Sequence, residues 1–232
     1  MNFQDELTWD VRSELVRSLV RIHNAFPQLS PASLFLAVNL LDRYCSLKKV
    51  KWYQYRLVGC TALLLAAKFV DKSKDVPRWD SLCAGCGWAY KPSEFVRMEW
   101  EMLITLDWDI GRCDAYTFTQ MRIARTAGGT PHLHMTTYIA EIALFYGDFV
   151  DTKPSVLSFA AQTLADVVIN CLSFDVCVEL SCWRTIYDLL CRLAHPPEAL
   201  LDKYASRNMS RVPHTVYLFC QRKSNDYVAH RQ

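Results

Sequence analysis

The feature that most constrains the fold is a nearly uninterrupted apolar segment in the N-terminal half. Residues 53–70 read YQYRLVGCTALLLAAKFV and place apolar or small side chains on almost every side of a helix. A helix of this kind is stable in water only when other helices surround it. The segment therefore predicts the central helix of a bundle. Lys68, near its end, then needs a partner or a route to water, because a lone buried charge is costly.

Helical periodicity continues on both sides of this segment. From Val11 to Phe26, apolar residues recur every three or four positions, and Ser30 followed by Pro31 predicts the capped start of a second helix. After the charged loop DKSKDVPRWD, further helices are predicted at SEFVRMEWEMLITLDW and DAYTFTQMRIART. No segment alternates with period two for long enough to indicate a strand. The predicted fold class is all-α.

The GGTP sequence at 128–131 predicts a boundary between two domains. Beyond it, helices are expected at about 132–147, 154–171 and 179–194, and from 197. PASLFLAVNLL, from Pro31, and PSVLSFAAQTL, from Pro154, share Pro, Leu, Ala and Leu at the same offsets. This match favours two copies of one five-helix unit. The predicted domains are residues 1–127 and 128–220, followed by a polar tail at 221–232.

Composition argues against several classes of protein. The chain is 51% hydrophobic and 22% charged, which favours a packed core over disorder. It has 26 basic and 24 acidic residues, so no overall charge points to nucleic acid. Ten cysteines without a recognisable secretory leader favour a reducing compartment, and we expect the nucleus and cytoplasm. The apolar stretch at 156–174 contains Gln162 and Asp166, which favours a core helix over a membrane span.

The motifs of common enzyme classes are absent from the sequence. It contains no phosphate-binding glycine pattern, no HExxH and no GxSxG. Cys83 and Cys86 have the spacing of metal ligands, but a structural zinc ion normally needs four. The other candidate ligands, His132 and His134, lie beyond the predicted boundary. We therefore expect no catalytic residues, no metal and no cofactor.

Four charged residues fall where the helical pattern predicts burial or near-burial. Arg12 lies beside the apolar stripe of the first helix, and Asp42 lies at the end of the second. Lys68 ends the third, and Glu99 follows Met98 within the fourth. Each is expected to pair within the chain, to reach water or to bind another protein.

The order of these segments resembles the cyclin box. Four segments are similar to its first four helices: VRSELVRSLVRIHNAF, LAVNLLDRYC, RLVGCTALLLAAKFVD and RMEWEMLITLDWDI. The whole resemblance covers residues 9 to about 126. Five separated family positions are filled in register, by Arg12, Asp42, Leu57, Lys68 and Glu99. The loop FVDKSKDVPRWDSL and the fourth helix are most similar to first-gap-phase (G1) cyclins of fungi. The resemblance implies tandem five-helix cyclin-box bundles, of which the second, to about residue 220, is degenerate.

This resemblance implies a regulatory role rather than catalysis. Cyclins bind and activate a cyclin-dependent serine/threonine protein kinase and so drive cell-cycle progression. Lys68 and Glu99 match the pair that hydrogen-bonds backbone around the αC helix of the kinase. Phe69, Trp108 and Ile110 match the apolar contacts to that helix.

Two further sets of residues follow from the same resemblance. Arg12 and Asp42 match an internal salt bridge that joins the first two helices. Many cyclins also bind substrate docking peptides through the first helix, at positions that are here Val11, Leu15, Ser18 and Arg21. The tryptophan of that patch is replaced by a serine and its acidic residue by an arginine, so recognition of arginine- and leucine-containing motifs is doubtful.

The main alternative is a cyclin-fold module of transcription, either bound to DNA with general factors or partnered with a transcriptional or phosphate-pathway kinase. Such DNA-bound modules carry many basic residues on one face. Here the basic clusters are only KKVK at 48–51 and the tail around 222–223. We therefore expect no nucleic-acid partner. The resemblance implies a kinase partner, and we expect no membrane association.

Overall fold

The computed structural model describes residues 4–85, 90–126, 129–170 and 180–229. Its helices are α1 (Trp9–Asn24), α2 (Pro31–Leu47), α3 (Trp52–Val70), α4 (Trp79–Gly85), α5 (Pro92–Thr105), α6 (Ala115–Thr126), α7 (Thr130–Ala143), α8 (Pro154–Asn170), α9 (Leu180–Leu193), α10 (Glu198–Tyr204) and α11 (Val212–Ala229). Short 3-10 helices occur at Gly147–Phe149 and Arg207–Met209. None of the residues in these ranges lies in a strand. The predicted all-α class is confirmed.

Contacts divide the chain into two compact units. The first comprises Met1–Asp114 and Leu144–Gly147, and the second comprises Ala115–Ala143 and Asp148–Gln232. This division differs from the predicted boundary after residue 127, because α6 packs against α7 and α8. A helix that the sequence analysis assigned to the first domain therefore has its main neighbours in the second unit.

In the first unit, α3 lies at the centre. Every residue from 57 to 67 is buried, and α1, α2 and α5 all pack against this helix. Gly59 permits the close approach of α1, since a Cβ atom there would lie 3.0 Å from the Leu15 methyl groups. Ser30 caps α2 by accepting a hydrogen bond from the Ala32 amide at 3.2 Å, with Pro31 at the first helical position. These contacts agree with the central position that the sequence predicts for α3.

The region between α3 and α5 contains a short helix that the sequence analysis did not predict. Helix α4 begins at Trp79 and buries Leu82 and Cys83 completely. The Cys83 thiol donates to the Tyr90 carbonyl oxygen at 3.5 Å. Cys86, the other half of the candidate metal motif, lies outside the described residues. Among the described residues, no group of three or more His, Cys, Asp and Glu could hold a metal ion.

The second unit is built around α7 and α8. Helix α8 packs against α6, α7 and α9, and it begins at Pro154 just as α2 begins at Pro31. Both helices contain 17 residues, which fits the repeat interpretation of the matched segments. Helix α11 continues to residue 229, through much of the predicted polar tail. In the part of the chain that the structure describes, no helix has the length and hydropathy needed to cross a bilayer.

Candidate functional site

Lys68 and Glu99 meet at the surface of the first unit. Lys68 lies in the last turn of α3, Glu99 lies in the middle of α5, and the Lys68 ammonium donates a hydrogen bond to the Glu99 carboxylate. The Lys68 side chain is 47% exposed and the Glu99 side chain is 19% exposed. The apolar core helix thus ends in a cation at the surface, where the C-terminal end of the helix dipole favours positive charge.

An exposed apolar stripe runs along α5 beside this pair. Val96, Trp100 and Ile104 are each more than half exposed and follow one another at four-residue spacing, so they share one helix face. Phe69, which follows Lys68 on α3, is also more than half exposed. Large apolar side chains clustered at a surface are typical of a protein-binding site.

The turn after α5 places Trp108 on the same surface. The Trp108 and Asp107 amides donate to the carbonyl oxygens of Leu103 and Ile104 at 2.9 and 3.1 Å, a pattern that ends many helices. Asp107 and Trp108 both have left-handed backbone, with φ values of 51° and 58°. A tryptophan in this region is strained, and such strain is concentrated at functional sites. The Trp108 ring stands edge-on to Trp100, with centroids 5.7 Å apart.

Two contacts brace this turn against the neighbouring helices. The Asp109 carboxylate accepts hydrogen bonds from Arg43 of α2, at 3.2 Å, and from Arg112. The Phe69 ring covers Gly111, where a Cβ atom would lie 2.8 Å from the ring edge. The turn is therefore fixed by α2 and α3 as well as by α5. We call the surface formed by these two helices and the turn the α3–α5 surface; it comprises Lys68, Phe69, Val96, Glu99, Trp100, Ile104 and Trp108.

Ile110 does not belong to this surface. The resemblance predicts it as an apolar contact to a partner, but only 7% of the residue is exposed. Its amide donates to the Trp108 carbonyl oxygen at 3.0 Å as the chain turns inward after the two left-handed residues. The prediction therefore disagrees with the structure, which gives Ile110 a packing role.

Sequence reasoning missed Val96, Trp100 and Ile104. The more regular apolar stripe of the same helix, from Phe95 to Leu106, lies in the core. The missed signal is a second set of large apolar residues at four-residue spacing on the same helix. A helix with one neighbouring surface needs only one apolar stripe, so a second stripe indicates either a further packing partner or a binding face.

Arg12 and Asp42 form an ion pair within the first unit, in which Arg12 is buried and Asp42 is partly exposed. The Arg12 guanidinium donates to both carboxylate oxygens at 2.7 Å, and a third nitrogen donates to the Leu144 carbonyl oxygen at 2.8 Å. Burial by itself would lower the pKa of Arg12, but the hydrogen bond to Asp42 and its negative charge outweigh this effect and raise the pKa. The pair thus joins α1 to α2, and its third hydrogen bond holds the segment Leu144–Gly147.

The four candidate docking residues on α1 do not form one exposed patch. Leu15 is buried against Gly59, whereas Val11 and Arg21 are exposed. Ser18 is half-buried, and its hydroxyl donates to the Glu14 carbonyl oxygen at 3.2 Å. Leu15 therefore packs α1 onto α3.

The second unit contains a buried ion pair that the sequence analysis did not predict. Lys203 of α10 donates to Glu141 of α7 at 2.6 Å, and both side chains are almost completely buried. Burial and the Glu141 carboxylate raise the pKa of Tyr204 well above its ordinary value. A glutamate inside the apolar sequence YIAEIALF is the signal that could have revealed the pair.

Comparisons with known proteins support the cyclin resemblance. The family profile "Cyclin, N-terminal domain" matches residues 1–111. The G1/S-specific cyclin CCN1 of Candida albicans is 31% identical over 186 residues, which cover 71% of this chain and 27% of that protein. Cyclin puc1 of Schizosaccharomyces pombe is 41% identical over 109 residues, 47% of this chain and 30% of that protein. The chain thus spans less than a third of the length of these two fungal relatives.

Two further comparisons extend over more of the chain. Cyclin-A3-3 of Arabidopsis thaliana is 29% identical over 227 residues, which cover 90% of this chain and 68% of that protein. The X-ray structure of a viral cyclin from herpesvirus saimiri superposes with a TM-score of 0.68 at 16% identity, over 94% of this chain and 89% of that one. The latter likeness shows the cyclin fold. Together these matches show that the chain belongs to the cyclin family and is most like the fungal G1 cyclins.

Proposed function

We propose that this chain is a non-catalytic regulatory subunit that binds and activates a cyclin-dependent serine/threonine protein kinase and so promotes commitment to cell division. The observation that carries the proposal is the Lys68–Glu99 pair at the edge of an exposed apolar surface. Membership of the cyclin family supports the same role.

Activation needs no catalytic group from this chain. A protein kinase positions the ATP phosphates only when its β3 lysine is paired with the glutamate of its αC helix. A partner that binds the inward position of αC more tightly than the outward one shifts the equilibrium by that difference in affinity. A surface held by three packed helices suits this task because it is rigid. It therefore does not change shape to fit a kinase whose αC helix is in the outward, inactive position.

The charged pair sets the orientation of a bound partner through hydrogen bonds, and the apolar residues around it exclude water. Lys68 and Glu99 can each exchange their mutual contact for backbone groups of a partner, forming charge-assisted hydrogen bonds with strict geometry. Phe69, Trp100 and Trp108 bury apolar area around them, as the aromatic residues of binding hot spots do. Truncating either charge should cost about 2–5 kcal/mol of binding, since the groups that face it would be buried unpaired.

The first test is the double substitution Lys68→Ala with Glu99→Ala. The variant should remain folded but neither bind nor activate a recombinant fungal cyclin-dependent kinase, as measured by affinity capture and phosphate transfer to a peptide substrate. The matched control is Asp5→Ala with Lys49→Ala, which removes another exposed lysine–carboxylate pair of the same unit. Kinase activation that survives in the double variant would refute the proposal.

The DNA-bound alternative gains no support from the basic loop. Lys49 and Lys51 pair with Asp5 and Glu6 at 2.9 and 2.8 Å, so part of the positive charge at 48–51 is neutralised within the chain. A gel-shift assay at two salt concentrations tests this alternative, because phosphate contacts weaken steeply with salt.

Two further proposals accompany the kinase role. The chain acts in the nucleus and cytoplasm, which fluorescence microscopy of a tagged protein tests. Substrate docking on α1 would have to use the exposed Val11 and Arg21, since Leu15 is buried. A Val11→Ala and Arg21→Ala variant should then lose substrate phosphorylation but keep kinase binding.

A further inference from the structure

Helix α3 ends at Asp71, three residues after Lys68. The Asp71 amide donates to the Ala67 carbonyl oxygen at 2.9 Å as the C-terminal cap of the helix. We propose that Asp71 is a positioning residue for the α3–α5 surface. Its carboxylate holds the last turn of α3, and with it Lys68 and Phe69, in the orientation that binds the kinase. The inference rests on the proposed function and adds to it a residue outside that surface.

One oxygen of the Asp71 carboxylate joins the end of α3 to the start of α2. Oδ1 accepts a hydrogen bond from the Ser30 amide at 2.8 Å. Ser30 is the N-terminal cap of α2. The carboxylate therefore lies at the positive end of the α2 dipole, where negative charge is favourable.

The backbone of Ser30 is itself held by two buried side chains. Its carbonyl oxygen accepts a hydrogen bond from the Ser33 hydroxyl at 2.6 Å, and Nε2 of His23 lies 3.0 Å from the same oxygen. His23 belongs to α1 and Ser33 to α2, and neither is more than 4% exposed. Asp71 is thus bonded to a point that two packed helices fix, so the bond can restrain α3.

The position of Asp71 is otherwise unfavourable for a carboxylate. The C-terminal end of α3 carries the negative end of that helix dipole. The second carboxylate oxygen, Oδ2, is buried and has no hydrogen-bond partner in the part of the chain that the structure describes. Departures of this kind from local stability rules are typical of residues that serve function.

The last turn of α3 determines how the binding residues are presented. Its backbone sets the directions in which the Lys68 and Phe69 side chains leave the helix, and both are about half exposed. Helix ends open more readily than helix centres. If the binding orientation were populated about one tenth of the time, the apparent affinity would fall about tenfold.

Isothermal titration with a recombinant cyclin-dependent kinase tests the inference. Asp71→Ala removes the acceptor and should bind about tenfold more weakly. Asp71→Asn keeps an oxygen that can accept from the Ser30 amide and should bind nearly as wild type does. The matched control is Gln28→Ala, which removes another hydrogen bond between the turn after α1 and the loop after α3, to the Asp75 carbonyl oxygen, and should bind normally.

A double-mutant cycle separates positioning from a general loss of stability. Because Asp71 acts partly through the orientation of Phe69, Asp71→Ala should cost less affinity in a Phe69→Ala background than in wild type. Four outcomes would overturn the inference: equal losses in both backgrounds, normal affinity of Asp71→Ala, an Asp71→Asn variant as weak as Asp71→Ala, or an Asp71→Ala chain that does not fold.

Hydrogen exchange of the free chain distinguishes failure of this inference from failure of the kinase role. The amides of Ser30 and of residues 68–70 should exchange faster in Asp71→Ala than in wild type, with the buried centre of α3 unchanged. Unchanged exchange at those amides would contradict the role of Asp71. If the wild-type chain binds no kinase, the proposed function fails, and the exchange result still decides whether Asp71 holds the last turn.

Discussion

Arg12 shows how a single charged side chain can join three segments of a fold. It is 1% exposed, makes two hydrogen bonds to Asp42 and donates a third to the Leu144 carbonyl oxygen. Lysine at this position would keep the charge but could not present the planar pair of donors.

We predict that Arg12→Ala lowers the free energy of unfolding by about 3–5 kcal/mol, because it leaves the Asp42 carboxylate without its partner. Arg12→Lys should give an intermediate loss, and a double Arg12→Met, Asp42→Leu variant should recover part of it. Urea denaturation followed by circular dichroism measures all three. Equal stability of wild type and Arg12→Ala would contradict the role assigned to this pair.

The backbone of Trp108 is strained, and its ring lies on the α3–α5 surface. Two substitutions can distinguish the effect of the strain from the effect of the ring. With φ at 58°, the residue has a backbone conformation that glycine adopts without cost. We predict that Trp108→Gly raises the free energy of unfolding by about 1 kcal/mol relative to Trp108→Ala, which keeps the strain. Thermal denaturation checks the difference, and both variants should lose kinase affinity because both lack the ring.

At single positions, residue patterns located charged side chains but did not predict how exposed each apolar side chain is. The positions of Lys68 and Glu99 follow from motif order, and the structure joins them by a hydrogen bond. Ile110 follows from the same motif, but the inward turn of the chain after Trp108 buries it. Local backbone reversal of this kind depends on tertiary contacts, so residue patterns do not reveal it.

At the scale of elements, the turn after α5 determines what the α3–α5 surface presents. It is held by Asp109 to α2 and by Gly111 to α3, so the three helices set its position together. A substitution in this turn should therefore alter the α3–α5 surface without unfolding the unit.

We predict that Gly111→Ala weakens kinase binding several-fold, because the new methyl group would displace the Phe69 ring from its place. The thermal midpoint should change little, since that ring lies at the surface and can move. Isothermal titration with the kinase measures the effect. Gly129→Ala is the control, because a Cβ there meets Pro131 at an ordinary 3.5 Å, and equal affinities for both variants would argue against the role of Phe69.

Element boundaries were predictable where capping residues mark them. Helices α2 and α8 begin at prolines that the sequence singled out, whereas α4 was missed because its seven residues are too few to show a period. The part of α11 from residue 221 onward was also missed, because a polar tail was predicted there. Its polar sequence near the end resembles a solvated segment, and helix formation there is not encoded by apolar spacing.

At the scale of the whole molecule, each of the two units contains its own internal ion pair. The first has Arg12 with Asp42, and the second has Glu141 with Lys203. The repeat pattern predicted two helical units. However, α6 belongs to the second unit because it packs against α7 and α8, although it precedes the GGTP sequence that was predicted as the boundary. Because the whole α3–α5 surface belongs to the first unit, kinase binding should be insensitive to exposed substitutions in the second.

The most direct test of the account is hydrogen exchange of the full chain, alone and with an equimolar cyclin-dependent kinase. Binding should slow exchange at the end of α3 and along residues 96–108, since docking excludes water from these backbone groups. Exchange at the exposed face of α9 should be unchanged. Protection confined to other helices, with the α3–α5 surface exchanging as in the free chain, would contradict the claim that the Lys68–Glu99 pair and its aromatic neighbours bind the kinase.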